Sequence, residues 1–564
     1  MTASLNLDLF ENAAEPAGAY QSNQAEIGLP EKTDAVINAL VDLVADGKTA
    51  LVQAFSSGKD STVSASLMLA ALARAAEQGL LSHDIPHFVL SADTGVENPL
   101  VADLLTQQHS AMRQFAAKHH IPLHTQIVQP SLSESFVVSI IGGRRAMPRP
   151  GITSACSTDW KIRPAQKAMK AHRKQMPDGT RVITLLGSRL DEGQKRSDNL
   201  KKHNARSGCE VSEHNGEWLA YPVLDFTTEE IFDYLMLAKE YQPKQIGNPF
   251  PTYKHNQGDV IRIYNDAVGE CSLFDSAGKK QKGCNARTGC FVCGMAGKED
   301  KSLHNTAKDK APHLLPLVRF RDYLMAVAED PACRNYLGTL PGKDDFDSIH
   351  AGALGFCGKI GLNLLRYLLT IQAEEEERAY KAGEHPAFAP VTLQHIFALD
   401  FQWALRGMQP ETWAAMKAWH EVMNCGVRYP IQDHQPSGMK KIPAMSTLEL
   451  PQDDQKDWDW ITTPLMAMHG IEPLVGRGMV VDEEGADLLY GFEYNHLIET
   501  THTRGRVIEC LLAYGTVEIP SSKQAQMGER LARVQRLDRV GLLKYAYKGG
   551  PLEQMDRDLL SDLI

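Results

Sequence analysis

The chain has 564 residues, 43% of them hydrophobic and 23% charged, and carries a formal net charge of −11. Such a length predicts two to four domains with sizeable apolar cores, and the acidic balance argues against indiscriminate binding to nucleic acid. No apolar run reaches the roughly 18 residues that a membrane-spanning helix needs. The polar, acidic start MTASLNLDLFENAAEPAGAYQSNQ lacks the basic-then-apolar order of a signal peptide, so a cytoplasmic protein with reduced thiols and no membrane partner is expected.

Residues 1–33 read as a flexible tail. The first element with chemical content begins at Leu51, where an apolar run ends in Ser56-Ser57-Gly58-Lys59-Asp60-Ser61 and passes into an apolar helical pattern. That order predicts strand, tight loop and helix. A helix start offers unpaired N–H groups and the positive end of a dipole, which suits phosphate. Gly58 permits close approach of the backbone, Lys59 adds charge, and Ser56 and Ser61 add hydroxyls. The spacing is not that of a Walker A loop, because Asp60 follows Lys59. The bland alternative is an ordinary strand-to-helix turn.

The next segment, His87 to Asp93, predicts a second buried strand ending in an acid, and Pro99 to about Lys118 a helix with Pro in its first turn. Asp93 at a strand end reads as a site carboxylate; a helix cap is the bland reading, and the two roles can coexist. Ile121 to Val128 and Thr180 to Gly187 predict a third and a fourth strand. Strands alternating with helices imply an α/β fold with a doubly wound parallel sheet, whose ligands bind at the carboxyl ends of the strands. Between Arg144 and Arg206 basic residues greatly outnumber acids. This is either a surface for a nucleic-acid backbone or a solvated helix face together with residues that bind the nucleotide's own phosphates.

Cys284, Cys290 and Cys293 lie within ten residues, and Cys271 lies thirteen before Cys284. Thiolates so close share a metal or cluster, with four-thiolate zinc and a 4Fe–4S cluster both open from spacing. Lone Cys333, Cys357, Cys425 and Cys510 read as buried free thiols. Beyond these, Ile360 to Ala379 predicts a long helix, 384–395 and 432–456 read as linkers, and Arg504 to Ile564 reads as helical segments carrying Arg530, Arg533, Arg536, Arg539 and Lys544. A packing appendage is the default for that tail, with DNA or partner contact as the alternative.

Several of these motifs together resemble known families. SSGKDS is similar to the SGGKDS loop of PP-loop ATP pyrophosphatases, with Ser57 in place of the second Gly. Gly187-Ser-Arg189-Leu-Asp-Glu192-Gly-Gln-Lys-Arg196, the segment Tyr221 to Tyr234 with its Thr-capped helix start, and Cys156 followed by Lys161, Arg163 and Pro164 resemble elements of phosphoadenylylsulfate reductases. Adding SADTGVENP, Gly269-Glu-Cys271 and CNARTGCFVC, the series resembles the DndC/SspD family of PP-loop sulfurtransferases of bacterial DNA phosphorothioation, over about residues 35–330. Here the spacing before the last two cysteines is one residue shorter than in that family.

The resemblance implies a PP-loop domain over 34–245, a cysteine-rich segment over 246–335 and a mainly helical region over 336–564. It implies catalysis by Lys59, Asp60 and Asp93, with ATP and magnesium held by Ser56, Ser57, Gly58, Lys59, Asp60, Ser61, Gly187 and Arg189. Lys161, Arg163 and Arg196 are its candidates for phosphate or DNA. A 4Fe–4S cluster is implied on Cys156, Cys284, Cys290 and Cys293, with Cys271 the alternative to Cys284. The implied partners are DNA, a cysteine desulfurase as sulfur donor, and other phosphorothioation subunits. Alternatives are a sulfonucleotide reductase, a tRNA thiolase, and a non-catalytic zinc-stabilised nucleic-acid-binding subunit. The reductase reading lacks its E-C-G-x-H element, since Glu270-Cys271 is followed by Ser-Leu-Phe.

Overall fold

The computed structural model describes residues 28–150, 155–192, 205–214, 216–243, 248–268, 289–295, 301–337, 348–351, 355–439, 446–449 and 504–513, with scattered positions at 197–201 and between 527 and 549. The described residues fall into two compact units, which divide the chain as Met1–Asp93, Asn98–Gln129 and Lys161–Thr288, and as Thr94–Glu97, Pro130–Trp160 and Gly289–Ile564. The units thus interleave along the chain, with residues 94–97 and 130–160 joining the second.

In the first unit, α1 (Leu29–Val44) leads into β1 (Thr49–Ala54), α2 (Lys59–Glu77), β2 (His87–Ala92), α3 (Pro99–Lys118) and β3 (Leu123–Val128). There follow α4 (Arg163–Arg173), β4 (Arg181–Leu186), β5 (Ser212–His214), β6 (Glu217–Ala220) and α5 (Thr228–Leu237). Two short strands, β7 (Lys239–Glu240) and β8 (Pro251–Thr252), and α6 (Gly258–Val268) complete it. The main sheet has the order β3-β2-β1-β4-β6-β5. It is parallel except for β5, which runs antiparallel to β6.

Side chains of β1 alternate between two cores, as a strand buried on both faces requires. Leu51 joins the large cluster built with α1, α2, α3 and α5. Ala50 and Val52 join Phe88, Leu90 and Val182 on the other face, against Met169 of α4. α5 starts where a Thr cap is expected: Thr227 accepts from the Glu230 N–H, and the Glu230 side chain accepts from the Thr227 N–H, completing a capping box. Phe226, just before that cap, is buried.

The second unit is mainly helical. Its elements include α7 (Lys301–Asp309), α8 (Leu315–Glu329), the strand β9 (Ser348–Ala351), α9 (Gly358–Ala382), α10 (Leu393–Arg406) and α11 (Ala414–Trp419). β10 (Ser446–Glu449) and α12 (Arg504–Ala513) follow. Two expected linkers hold structure at their edges. α10 begins inside 384–395 because Thr392 caps it, with His395 rather than an acid completing the capping box. Within 432–456, β10 pairs antiparallel with β9, Ser446 opposite Ala351, a partnership that local sequence does not signal. No helix among the described residues is long and apolar enough to cross a membrane.

Candidate active site

The loop after β1 and the loop after β4 leave neighbouring strands of the sheet. Strand order reverses between them, since β2 lies on the other side of β1 while β4 follows it. Open α/β sheets bind ligands in the crevice at such a switch point. Ser56–Gly58 turn the chain there, and α2 begins at Lys59 with Gly58 as its cap residue.

Ser57 sits at φ +51°, in the left-handed region. An L-residue is disfavoured there by roughly 1–2 kcal/mol, which explains why a Gly commonly fills this place. The Ser57 hydroxyl donates to the Ser56 carbonyl at 2.8 Å. Ser61 Oγ ties the loop to the helix: it donates to the Gly58 carbonyl at 3.0 Å and lies 3.1 Å from Ser56 Oγ. The Lys59 N–H, one of the orphan donors of the helix start, donates to the Tyr264 hydroxyl of α6 at 3.2 Å.

The acid of the loop is held by two cations. Lys59 Nζ lies 3.0 Å from Asp60 Oδ2, and Arg189 Nε donates to Asp60 Oδ1 at 2.6 Å. Arg189 is only 1% exposed. Its other nitrogens reach the Phe226 carbonyl, the Thr228 hydroxyl and Asp191. The structure therefore places Arg189 beneath Asp60 as its buried partner. Asp191 in turn accepts from the Thr228 N–H at 2.9 Å, so the start of α5 supports the same network.

Gly187 is needed for closeness. A Cβ there would lie 2.8 Å from Ser61 Cα and 2.9 Å from Ser61 N, so any side chain would push the second loop off the first turn of α2. Asp93 follows β2, is half-buried, and accepts from Gln129 Nε2 at 2.9 Å. The cap of α3 is Asn98, whose side chain accepts from the Leu100 N–H, so the helix-cap alternative for Asp93 does not hold.

The basic window separates into parts. Arg145 pairs with Glu134 and Asp159, Arg173 with Glu217, and Arg181 stacks on Trp218 at 4.4 Å. Lys161 and Arg163 are exposed. Along α4, Arg163, Lys167, Lys170 and Lys174 recur at helical spacing and are all exposed, giving one cationic face. Arg196 lies outside the described residues.

Of the thiols, Cys290 and Cys293 occupy one tight turn in the second unit, where the Cys293 N–H donates to the Cys290 carbonyl at 2.9 Å. Both are half-buried, over the buried Phe291 and Val292. Cys290 bridges to Glu97, and the Thr94 hydroxyl lies 3.4 Å from its sulfur. The buried Arg321 donates to the Cys293 carbonyl. Cys156 is half-buried in the same unit. Cys271 and Cys284 lie outside the described residues.

Sequence reasoning missed Tyr264 and the Asp191–Thr228 support. Tyr264 reads as one more apolar position of a helix, and nothing within its own segment points to a loop 205 residues away.

Residues 50–243 match the model of the phosphoadenosine phosphosulfate reductase domain. The α/β core around the parallel sheet is thus a domain of this type, and the matched range also takes in residues 94–97 and 130–160 of the second unit. Among solved structures the chain is similar to the phosphoadenylyl-sulfate (PAPS) reductase of Candida auris in its phosphate complex. The identity is 17%, covering 38% of this chain and 88% of that one, with a TM-score of 0.19. No curated protein matches.

Proposed function

We propose that this chain is a cytoplasmic ATP-dependent sulfurtransferase of DNA phosphorothioation. A backbone phosphate oxygen of DNA attacks the α-phosphorus of ATP and pyrophosphate leaves. A sulfur nucleophile then attacks the DNA phosphorus, and AMP departs with the oxygen. The observation that carries this reading is the loop at the switch point. There Gly58 opens α2, Lys59 and the hydroxyls of Ser56 and Ser61 gather, and Gly187 lets the loop after β4 close onto the first turn of α2.

Fixed donors and charge of this kind stabilise a departing pyrophosphate. Lys59 supplies the charge, and Ser56 and Ser61 supply hydroxyls. Asp60, oriented by Arg189, and Asp93 offer carboxylate oxygens to magnesium, which suits ATP phosphates. The exposed cations of α4 suit a nucleic-acid backbone. In the second unit the Arg406 and Arg530 guanidiniums are lowered by burial and by other arginines, Arg406 to about 10, and Arg406 keeps a buried N–H without a partner.

The Cys290–Cys293 turn fits a cluster, since a C-x-x-C turn places two sulfurs within reach of one metal centre. Cys156, Cys290 and Cys293 would hold a 4Fe–4S cluster with Cys284, or with Cys271 in its place. When bound, the cluster supplies sulfur-relay or electron-transfer chemistry. A cysteine desulfurase and the other phosphorothioation subunits are the partners that this activity requires.

The test is pyrophosphate release from ATP by anaerobically purified protein, with and without DNA. DNA-stimulated release is expected, falling on the order of 100-fold in Lys59→Ala. ATP-independent reduction of a sulfonucleotide would overturn the proposal in favour of a reductase, the reading closest to the matched domain.

A further inference from the structure

A second group of metal-binding side chains lies outside the Cys290–Cys293 turn. Asp330, Cys333 and His434 bring one oxygen, one sulfur and one nitrogen to within 4.8 Å of one another. His434 Nε2 is 2.9 Å from Asp330 Oδ2 and 3.9 Å from Cys333 Sγ. Asp330 and Cys333 flank a single 3-10 turn at the end of α8, so a D-x-x-C spacing turns both toward one side. His434 arrives from 104 residues further along the chain.

We infer that these three residues form a binding site for one zinc-like divalent ion. A proton relay would use the two imidazole nitrogens on different partners. Here a single nitrogen faces both the carboxylate and the thiol, so three ligand atoms converge on a point. With ordinary zinc bond lengths and tetrahedral angles, nitrogen and oxygen ligands stand about 3.3 Å apart, and nitrogen and sulfur about 3.6 Å. The separations of 2.9 and 3.9 Å need only small shifts to meet these values. A mixed sulfur, nitrogen and oxygen set suits zinc and disfavours magnesium or calcium, which prefer oxygen alone.

The carboxylate is already oriented. Asp330 Oδ1 accepts from the Ala332 N–H at 3.0 Å and from the Ser437 hydroxyl, and Oδ2 accepts from the Ser437 N–H at 2.8 Å. Supports of this kind hold metal ligands in place. Cys357 lies opposite Cys333 across the antiparallel Arg334–Phe356 bridge, its N–H donating to the Cys333 carbonyl. Its thiol is outside the converging set, which leaves the fourth position to water beside the partly exposed His434. An ion here would staple the irregular segment 431–439 to the end of α8.

The experiment is cobalt(II) titration of the full-length protein after chelator treatment and desalting under anaerobic conditions, with zinc analysis of the untreated protein. One equivalent is expected to give a thiolate-to-cobalt charge-transfer band that zinc abolishes. The band should survive in a Cys290→Ser/Cys293→Ser double variant and be lost in Cys333→Ser and in His434→Asn. Circular dichroism checks folding. If Cys333→Ser misfolds, His434→Asn carries the test, because its side chain lies at the edge of the site. No band in the native protein overturns the inference, as does a band that disappears with Cys290 and Cys293 but persists without Cys333 or His434.

Discussion

The two units bury carboxylates in opposite ways. In the first, Asp60 lies between Arg189 at 2.6 Å and Lys59 at 3.0 Å. In the second, Asp400 is 2% exposed and accepts from the Ala415 and Met416 N–H groups, both at 2.9 Å. Those bonds cap α11, but burial outweighs them and pushes the Asp400 carboxyl up to about 7. The difference teaches where charge is retained for use. An ion pair favours the charged form of a buried acid, whereas backbone donors alone do not offset its desolvation. The first arrangement sets a cation on each oxygen of the acid, and the second sets two backbone donors on it at the start of a helix.

The strongest way to break the comparison is to remove the pairing. Arg189→Met should destabilise the first unit by about 3 kcal/mol, because it strips a buried carboxylate of its main partner. Asp60→Asn added to it should recover part of that loss. Urea unfolding of the single and double variants measures both, and strictly additive losses would show that the pair is not a unit.

Gly187→Ala comes next. Its Cβ would meet the Ser61 backbone at 2.8–2.9 Å, so a loss of roughly 1–3 kcal/mol is expected from overpacking. ATP binding should weaken alongside, by isothermal titration. Unchanged binding would separate the β4 loop from the site.

Asp400 sharpens the other side by its pH dependence. Its folded-state carboxyl binds a proton up to about pH 7, whereas an unfolded Asp releases it near pH 4. The folded state thus holds the extra proton between these values, and stability should fall as pH rises through that window. In Asp400→Asn the slope over pH 4–7 should flatten, as thermal melts would show. An unchanged slope would assign it to other groups.

The smallest effect is expected at Ser57. Ser57→Gly should stabilise by about 0.5 kcal/mol, the relief of left-handed strain less the entropy of the glycine. It should leave phosphate binding intact.

Much of the first unit is legible along the chain. Pro99 marks the start of α3 and Thr227 that of α5, because capping and φ preferences are local. The strands at 51–54, 87–92 and 181–186 stand out as apolar runs between turn residues, and the small, hydroxyl-rich turn at 56–61 announces a helix start suited to phosphate. What required the tertiary structure is everything set by distance along the chain. Arg189 reads as a cation of the ATP site, but that it is buried beneath Asp60, Phe226 and Thr228 shows only in the fold. Tyr264 meets the Lys59 N–H, and His434 meets Asp330, only once segments distant in sequence pack. The pairing of β9 with β10 across about 95 residues depends on which edges the fold brings together. Local sequence thus determined the elements, their caps and the loop chemistry through short-range sterics and hydrogen bonding. The tertiary fold decided which charges are paired, which thiols and imidazoles meet, and which carboxyl is pushed up by burial, because each of these depends on desolvation and on neighbours supplied from elsewhere in the chain.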